Sequence, residues 1–79
     1  MFIKLRLKRD PEDNIDERYD FVATVNVAEI IMFNATYAGG VNKGRTRILF
    51  RKEGYITTAT MEQIEEAIIS GNPFVDLTR

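Results

Sequence analysis

Ile3, Leu5 and Leu7 alternate with Lys4, Arg6 and Lys8 along the first stretch of the chain. A repeat of two puts each set on its own side of an extended backbone, so 2–8 reads as a half-buried strand. The rhythm returns from Tyr19 to Val27, with Phe21, Ala23, Val25 and Val27 on one face and Val22, Thr24 and Asn26 on the other. Ala28 and Glu29 break it, and Ile30, Ile31, Met32 and Phe33 then stand side by side in a run that ends at Tyr37. This predicts two strands joined by a tight turn at 26–29. The second is either covered on both faces or meets a partner chain. Further on, Thr46, Ile48 and Phe50 point inward, while Arg45, Arg47 and Arg51 point outward with Leu49 among them. The chain then turns at Lys52-Glu53-Gly54, with Glu53-Gly54 as the expected hairpin tip, and Tyr55 to Thr58 pairs back.

The segments between these strands are polar. Residues 10–18 hold Pro11, Asn14 and much of the acid around a lone Ile15, and residues 38–44 hold three glycines, as a hairpin tip would. Thr60 and Gln63 have the spacing of a capping box and open one helix. Met61, Ile64, Ala67 and Ile68 form its inner stripe, and Glu62, Gln63, Glu65 and Glu66 look outward. Ser70-Gly71 closes the helix and Asn72-Pro73 prevents its continuation. The tail, 72–79, carries Phe74, Val75 and Leu77, too apolar to hang free, and is expected to dock on the domain or on a neighbour. The whole chain, 1–79, reads as a single α+β domain, mostly β. Its expected form is a bent antiparallel sheet or small barrel of about five strands with one C-terminal helix packed over an open end.

Composition narrows the functions. A chain of 79 residues buries only roughly 60% of the surface its unfolded form exposes. With no cysteine there are no disulfides to compensate, so self-association is expected. The absence of histidine as well excludes zinc sites built on thiolate or imidazole. Lysine and arginine interrupt the apolar residues of the N-terminus, unlike a signal-peptide core, and no apolar run approaches the ~20 residues of a membrane span. A cytoplasmic location follows as the expectation. Net charge is −1, from 11 basic and 12 acidic side chains, but the signs are segregated. Asp10, Glu12, Asp13, Asp16, Glu17 and Asp20 crowd one stretch, and the basic residues crowd the strands.

From Val25 to Ile69 the chain reads Val-Asn-Val-Ala-Glu-Ile-Ile, a glycine-bearing gap, Thr-Arg-Ile-Leu-Phe, a short turn, Tyr-Ile-Thr-Thr, and the capped helix Met-Glu-Gln-Ile-Glu-Glu-Ala-Ile. Together with the opening Phe-Ile-Lys-Leu, this resembles the small flagellar and swarming-motility proteins of the FlbD type, and half of a LytTR-type DNA-binding domain. The layout is also similar to that of small phage-encoded proteins that bind host proteins or nucleotides. The resemblance covers about half the chain and implies a β-plus-helix fold. The acidic insertion from Asp10 to Asp20 and the loop from Thr36 to Gly44 are both longer than in the FlbD pattern.

Catalysis is not expected. Without histidine or cysteine the usual general base and thiol nucleophile are missing, and Asp16 and Glu17 sit in a polar segment with nothing apolar to shift a pKa. Gly39-Gly40 with Lys43-Gly44 precedes a strand, whereas a phosphate loop opens a helix. No cofactor or metal is expected. Two surfaces carry the functional signal. If the first strand neighbours the Arg-rich strand, Lys4, Arg6, Lys8, Arg45, Arg47 and Arg51 form one basic face able to attract nucleic acid or a nucleotide-like anion. Alternating cations also serve simply to solvate a sheet face, and the acidic segment could fold back over them. In the run 30–33 one parity, either Ile31 and Phe33 or Ile30 and Met32, is left outside; Ile31, Phe33 and Tyr37 are the expected oligomer or partner interface. The function these features favour is a non-enzymatic interaction module that self-associates or binds a protein partner, with anion binding on the basic face as the alternative.

Overall fold

The computed structural model describes residues 1–10, 18–19, 21–36 and 43–78. Most of the acidic segment, the tip of the glycine segment and the expected interface residue Tyr37 lie outside these. Among the described residues the elements are β1 (Phe2–Arg9), β2 (Phe21–Asn26), β3 (Ile30–Ala35), β4 (Thr46–Phe50), β5 (Glu53–Thr57), α1 (Met61–Ser70) and β6 (Phe74–Asp76). The first five strands form a sheet in the order β2-β1-β5-β4-β3, every neighbouring pair antiparallel.

β2 and β3 follow one another in the chain, separated only by a 3-10 turn at Val27–Glu29, yet they stand at opposite ends of the sheet. Laid flat, five strands would hold those ends about 19 Å apart. The steps from Asn26 to Ile30 reach about 14 Å at full stretch. The sheet therefore has to curl until its two ends approach each other. It does not close into a barrel, because β2 pairs with β1 and β3 with β4 but not with one another. The α+β fold expected from the sequence is thus the one observed, in its open form.

The concave face of the curl holds the core: Ile3, Leu5 and Leu7 of β1, Val25 of β2, Ile48 of β4 and Tyr55 of β5, with Ala59, Ile64 and Ala67 from the helical side. Burying each such Ile or Leu contributes about 1.5–3 kcal/mol, so this short row supplies much of what a domain this small has. Thr46 and Thr57 face each other within it, both fully buried, and the Thr46 hydroxyl donates to the Ala59 carbonyl at 2.8 Å. The helix begins as its sequence predicts. Thr60 accepts from the Gln63 N–H at 3.1 Å and Gln63 accepts from the Thr60 N–H at 2.8 Å, a complete capping box. It ends at Gly71, whose φ of 72° only glycine adopts freely. Its buried stripe is narrower than expected. Ile64 and Ala67 enter the core, Met61 is half-buried, and Ile68 is only partly covered, at 37% exposed.

The structure departs from the sequence reading in two further places, the β4–β5 turn and the register of β3, and decides between the two dockings expected of the tail. The β4–β5 hairpin turns at Arg51-Lys52, flanked by the Phe50–Glu53 pair, so Glu53 and Gly54 belong to the strand. The positive φ that such a short loop demands falls on Arg51, at 55°. Gly54 serves a close approach instead: a Cβ there would sit 3.1 Å from Asp10 Oδ2, and the Asp10 N–H donates to the Gly54 carbonyl. In β3 the register shifts between Ile30, opposite Phe50, and Met32, opposite Leu49. Ile31 is the extra residue of a bulge, which lets Ile30 and Phe33 both turn inward. Finally, the tail docks on its own domain. β6 adds in parallel beside the first half of β1, pairing Phe2 with Phe74 and Lys4 with Asp76, while Val75 and Leu77 pack on the core.

Candidate binding surfaces

The convex face of the sheet carries the predicted cations, and register fixes how they lie. β1 and β4 are not neighbours, because β5 runs between them. Lys8 sits opposite Ile56, and Ile56 sits opposite Arg47. In the same way Thr46 pairs with Thr57, which sets Arg45 beside Thr58 one step along. The two basic rows thus share a face but flank Gly54 and Ile56 of β5, which carry no charge.

That face is occupied by its own contacts. Lys8, expected to project into solvent, is 1% exposed. Its ammonium lies 5.3 Å from the centre of the Tyr19 ring, and the Arg45 guanidinium lies 5.8 Å from the same ring. The Tyr19 ring therefore lies against a cation from each side of β5, and Ile56 of that strand is fully buried although it stands outside the main core. Cation–π contacts of this kind contribute about 0.5–1 kcal/mol when exposed and more when water is excluded. Arg47 Nε donates to Asp10 Oδ2 at 2.7 Å, with the Asp10 side chain only 10% exposed. Arg45 donates to the Thr58 carbonyl at 3.4 Å, and Arg6 to the Thr78 carbonyl at 2.8 Å. Lys4 stands opposite Asp76. Arg51 is on the hairpin turn rather than the sheet face, and pairs with Glu29 at 3.3 Å.

Among the described residues, polar atoms remain in this layer without hydrogen-bond partners: Asp10 Oδ1, Tyr19 Oη, Asn34 Oδ1, Arg45 Nε and Thr58 Oγ1. Burial pushes the Tyr19 hydroxyl above the ordinary tyrosine pKa of 10.0, and the positive charge of Arg45 offsets part of that rise.

The apolar surface lies elsewhere. β3 ends the sheet, and among the described strands its outer edge has no partner. Ile31 is 66% and Met32 50% exposed there. Phe33, expected at the interface with Ile31, is turned inward by the bulge and packs on the core. Ile31 and Met32 are therefore the exposed pair, a combination that strict alternation cannot produce.

A third feature was not anticipated. At the end of the curl near the β4–β5 turn, the Phe50 and Tyr55 rings stack at 5.0 Å and 23°, and Phe21 meets Tyr55 edge-on at 5.7 Å and 85°. The Tyr55 hydroxyl donates to the Glu53 carboxylate. That bond, then burial, then the charge of Glu53 raise the Tyr55 pKa above 10.0, with Arg9 and Arg51 opposing the rise. Beside these rings lies a cleft of about 390 Å³ lined by Phe50, Arg51, Lys52, Glu53 and Tyr55. The signal in the sequence was the inward parity of Phe21 and of Phe50, but only the β1–β2 and β1–β5 pairings bring Phe21 to Tyr55.

Among the described residues no three acidic side chains gather as metal ligands, and no helix is long and apolar enough to cross a membrane. Comparison with protein-family models, with curated proteins and with solved structures found no match.

Proposed function

We propose that this chain is a non-enzymatic interaction module that binds protein through the free edge of β3, with a second copy of itself as the first partner. The observation that carries this reading is the edge itself: six residues, Ile30–Ala35, without a charge or a proline, bearing Ile31 and Met32 exposed side by side. Monomeric proteins usually guard such an edge with lysine, proline or a covering element, because its free N–H and C=O groups template the addition of another strand. A two-fold axis sets a strand against its own sequence, and an uncharged strand avoids the like-charge contacts this would otherwise create. β2, the other end of the sheet, is uncharged too, but Phe21 and Val22 are less exposed, at 38% and 42%, and the Phe21 ring is engaged with Tyr55.

Anion binding on the sheet face has less support. Of its expected cations, Lys8 is buried, and Arg6, Arg45, Arg47 and Arg51 already donate to carbonyls or carboxylates. A FlbD-like or phage-protein role is compatible with a small partner-binding domain, and the genomic neighbours of the coding sequence would separate the two.

Size-exclusion chromatography with light scattering tests the proposal. The chain should run as a dimer, and Ile31→Lys with Met32→Lys should make it monomeric while its circular dichroism stays unchanged and its Tm loses its dependence on protein concentration. A wild-type chain that stays monomeric at millimolar concentration would refute self-association.

A further inference from the structure

We infer that the cleft beside the Phe50–Tyr55 stack is a second, independent site that takes a flat aromatic base carrying a phosphate. Its volume, about 390 Å³, falls within the usual ~300–1,000 Å³ range of small-molecule sites. One side is a ready stacking platform. Phe50 and Tyr55 lie within 23° of parallel, so a third ring laid against Phe50 would continue the stack. Phe21 braces Tyr55 edge-on from β2, and the Tyr55 hydroxyl is tied to Glu53. The platform is therefore held in place before any ligand arrives, which lowers the cost of binding.

The rim supplies the charge. Arg51 and Lys52 follow Phe50 directly in the chain, and both line the cleft. Lys52 is exposed and has no ion pair among the described residues, unlike the cations of the sheet face. Arg51 gives Nε and one terminal nitrogen to Glu29 at 3.3 and 3.5 Å, in a pair that is largely exposed, so it is held only loosely. The one acid in the lining, Glu53, has an oxygen engaged by Tyr55. Stacked rings with two cations at the next two positions match the base and phosphate of a nucleotide, and a nucleotide unit can arrive either free or within a single strand. A peptide aromatic flanked by an acid would offer less charge to the same rim.

The test is calorimetric titration of the wild-type chain with AMP, adenosine, inorganic phosphate, dTMP and an oligothymidylate. The inference expects AMP to bind, adenosine and phosphate to bind much more weakly, and rising salt to weaken the AMP complex. Phe50→Leu, which keeps the site apolar, should weaken AMP by about tenfold through lost stacking. Lys52→Gln, on an exposed turn position that cannot disturb the core, should also weaken it and flatten the salt dependence. An oligothymidylate that binds much more tightly per strand than dTMP identifies single-stranded nucleic acid as the source, and equal affinity identifies the free nucleotide. No heat with any of these compounds at millimolar concentration overturns the inference, as does binding that Lys52→Gln leaves unchanged. So does a preference for an acidic aromatic peptide over AMP. Because Phe50 and Lys52 are not on the β3 edge, the oligomeric state reports separately on the self-association proposal.

Discussion

At the scale of single residues, the points of least tolerance are those where two chain segments approach closely. Gly54 is one. A methyl group there would press on Asp10 Oδ2, the atom that accepts the Arg47 hydrogen bond. Gly54→Ala should therefore lower stability by about 1–3 kcal/mol in urea unfolding, the usual cost of overpacking with an ion pair displaced. Tyr19 allows a cleaner separation of contributions. Its hydroxyl is buried without a partner while its ring is flanked by Lys8 and Arg45. Tyr19→Phe should leave stability within about 0.5 kcal/mol of wild type or raise it slightly, because an unpaired polar group is removed. Tyr19→Leu should cost about 1–2 kcal/mol, because the ring contacts go with it. The raised pKa values of Tyr19 and Tyr55 have a definite sign. A tyrosine that holds its proton more tightly when folded contributes fully below its unfolded value of 10.0, and that contribution is lost as pH climbs through the folded value. Denaturant midpoints should thus fall in the alkaline range above pH 10.0, and Tyr55→Phe should reduce the fall.

At the scale of elements, alternation in the sequence located β1, β2 and β4 and sorted their faces, the glycine-bearing turn pointed to β5 without sorting its faces, and the capping residues located both ends of α1. Parity is a local property set by the backbone, so it survives whatever the strand pairs with. What pairing decides was not legible. The β5 strand between β1 and β4, the bulge at Ile31 and the parallel docking of β6 depend on contacts distant in sequence. So does the burial of Lys8, whose ammonium lies against the Tyr19 ring. The β4–β5 turn shows the same limit. Gly54 drew the expected tip toward itself, whereas the positive φ fell on Arg51, because the pairing of Phe50 with Glu53 leaves Arg51 and Lys52 as the loop. This predicts a contrast between two variants that both lose the Glu29 ion pair. Arg51→Gly, free to adopt a φ of 55°, should be more stable than Arg51→Val by about 1–2 kcal/mol in thermal or urea unfolding. Equal stabilities would mean that the turn does not hold Arg51 in that conformation.

At the scale of the whole molecule, the curl of the sheet divides the surface into parts with different uses. The concave side is filled by the core and α1, and the convex side is consumed by its own cations and Tyr19. Among the described residues the β3 edge is left unpaired and the aromatic mouth is left open, and these are the surfaces to which the proposed partners are assigned. The apolar run 30–33 belongs to both kinds of surface, and the bulge decides which residue goes where. Ile31 projects into solvent, while Phe33, two positions on, packs inside. Phe33→Lys would force an ammonium toward the core and should unfold the domain, or lower its stability by at least about 3 kcal/mol. Ile31→Lys should leave the monomer fold intact and only remove the apolar contact on the β3 edge. Denaturation read beside light scattering distinguishes the two outcomes. If Ile31→Lys is as destabilising as Phe33→Lys, Ile31 is part of the core rather than of an interface, and the bulge does not divide the run as described.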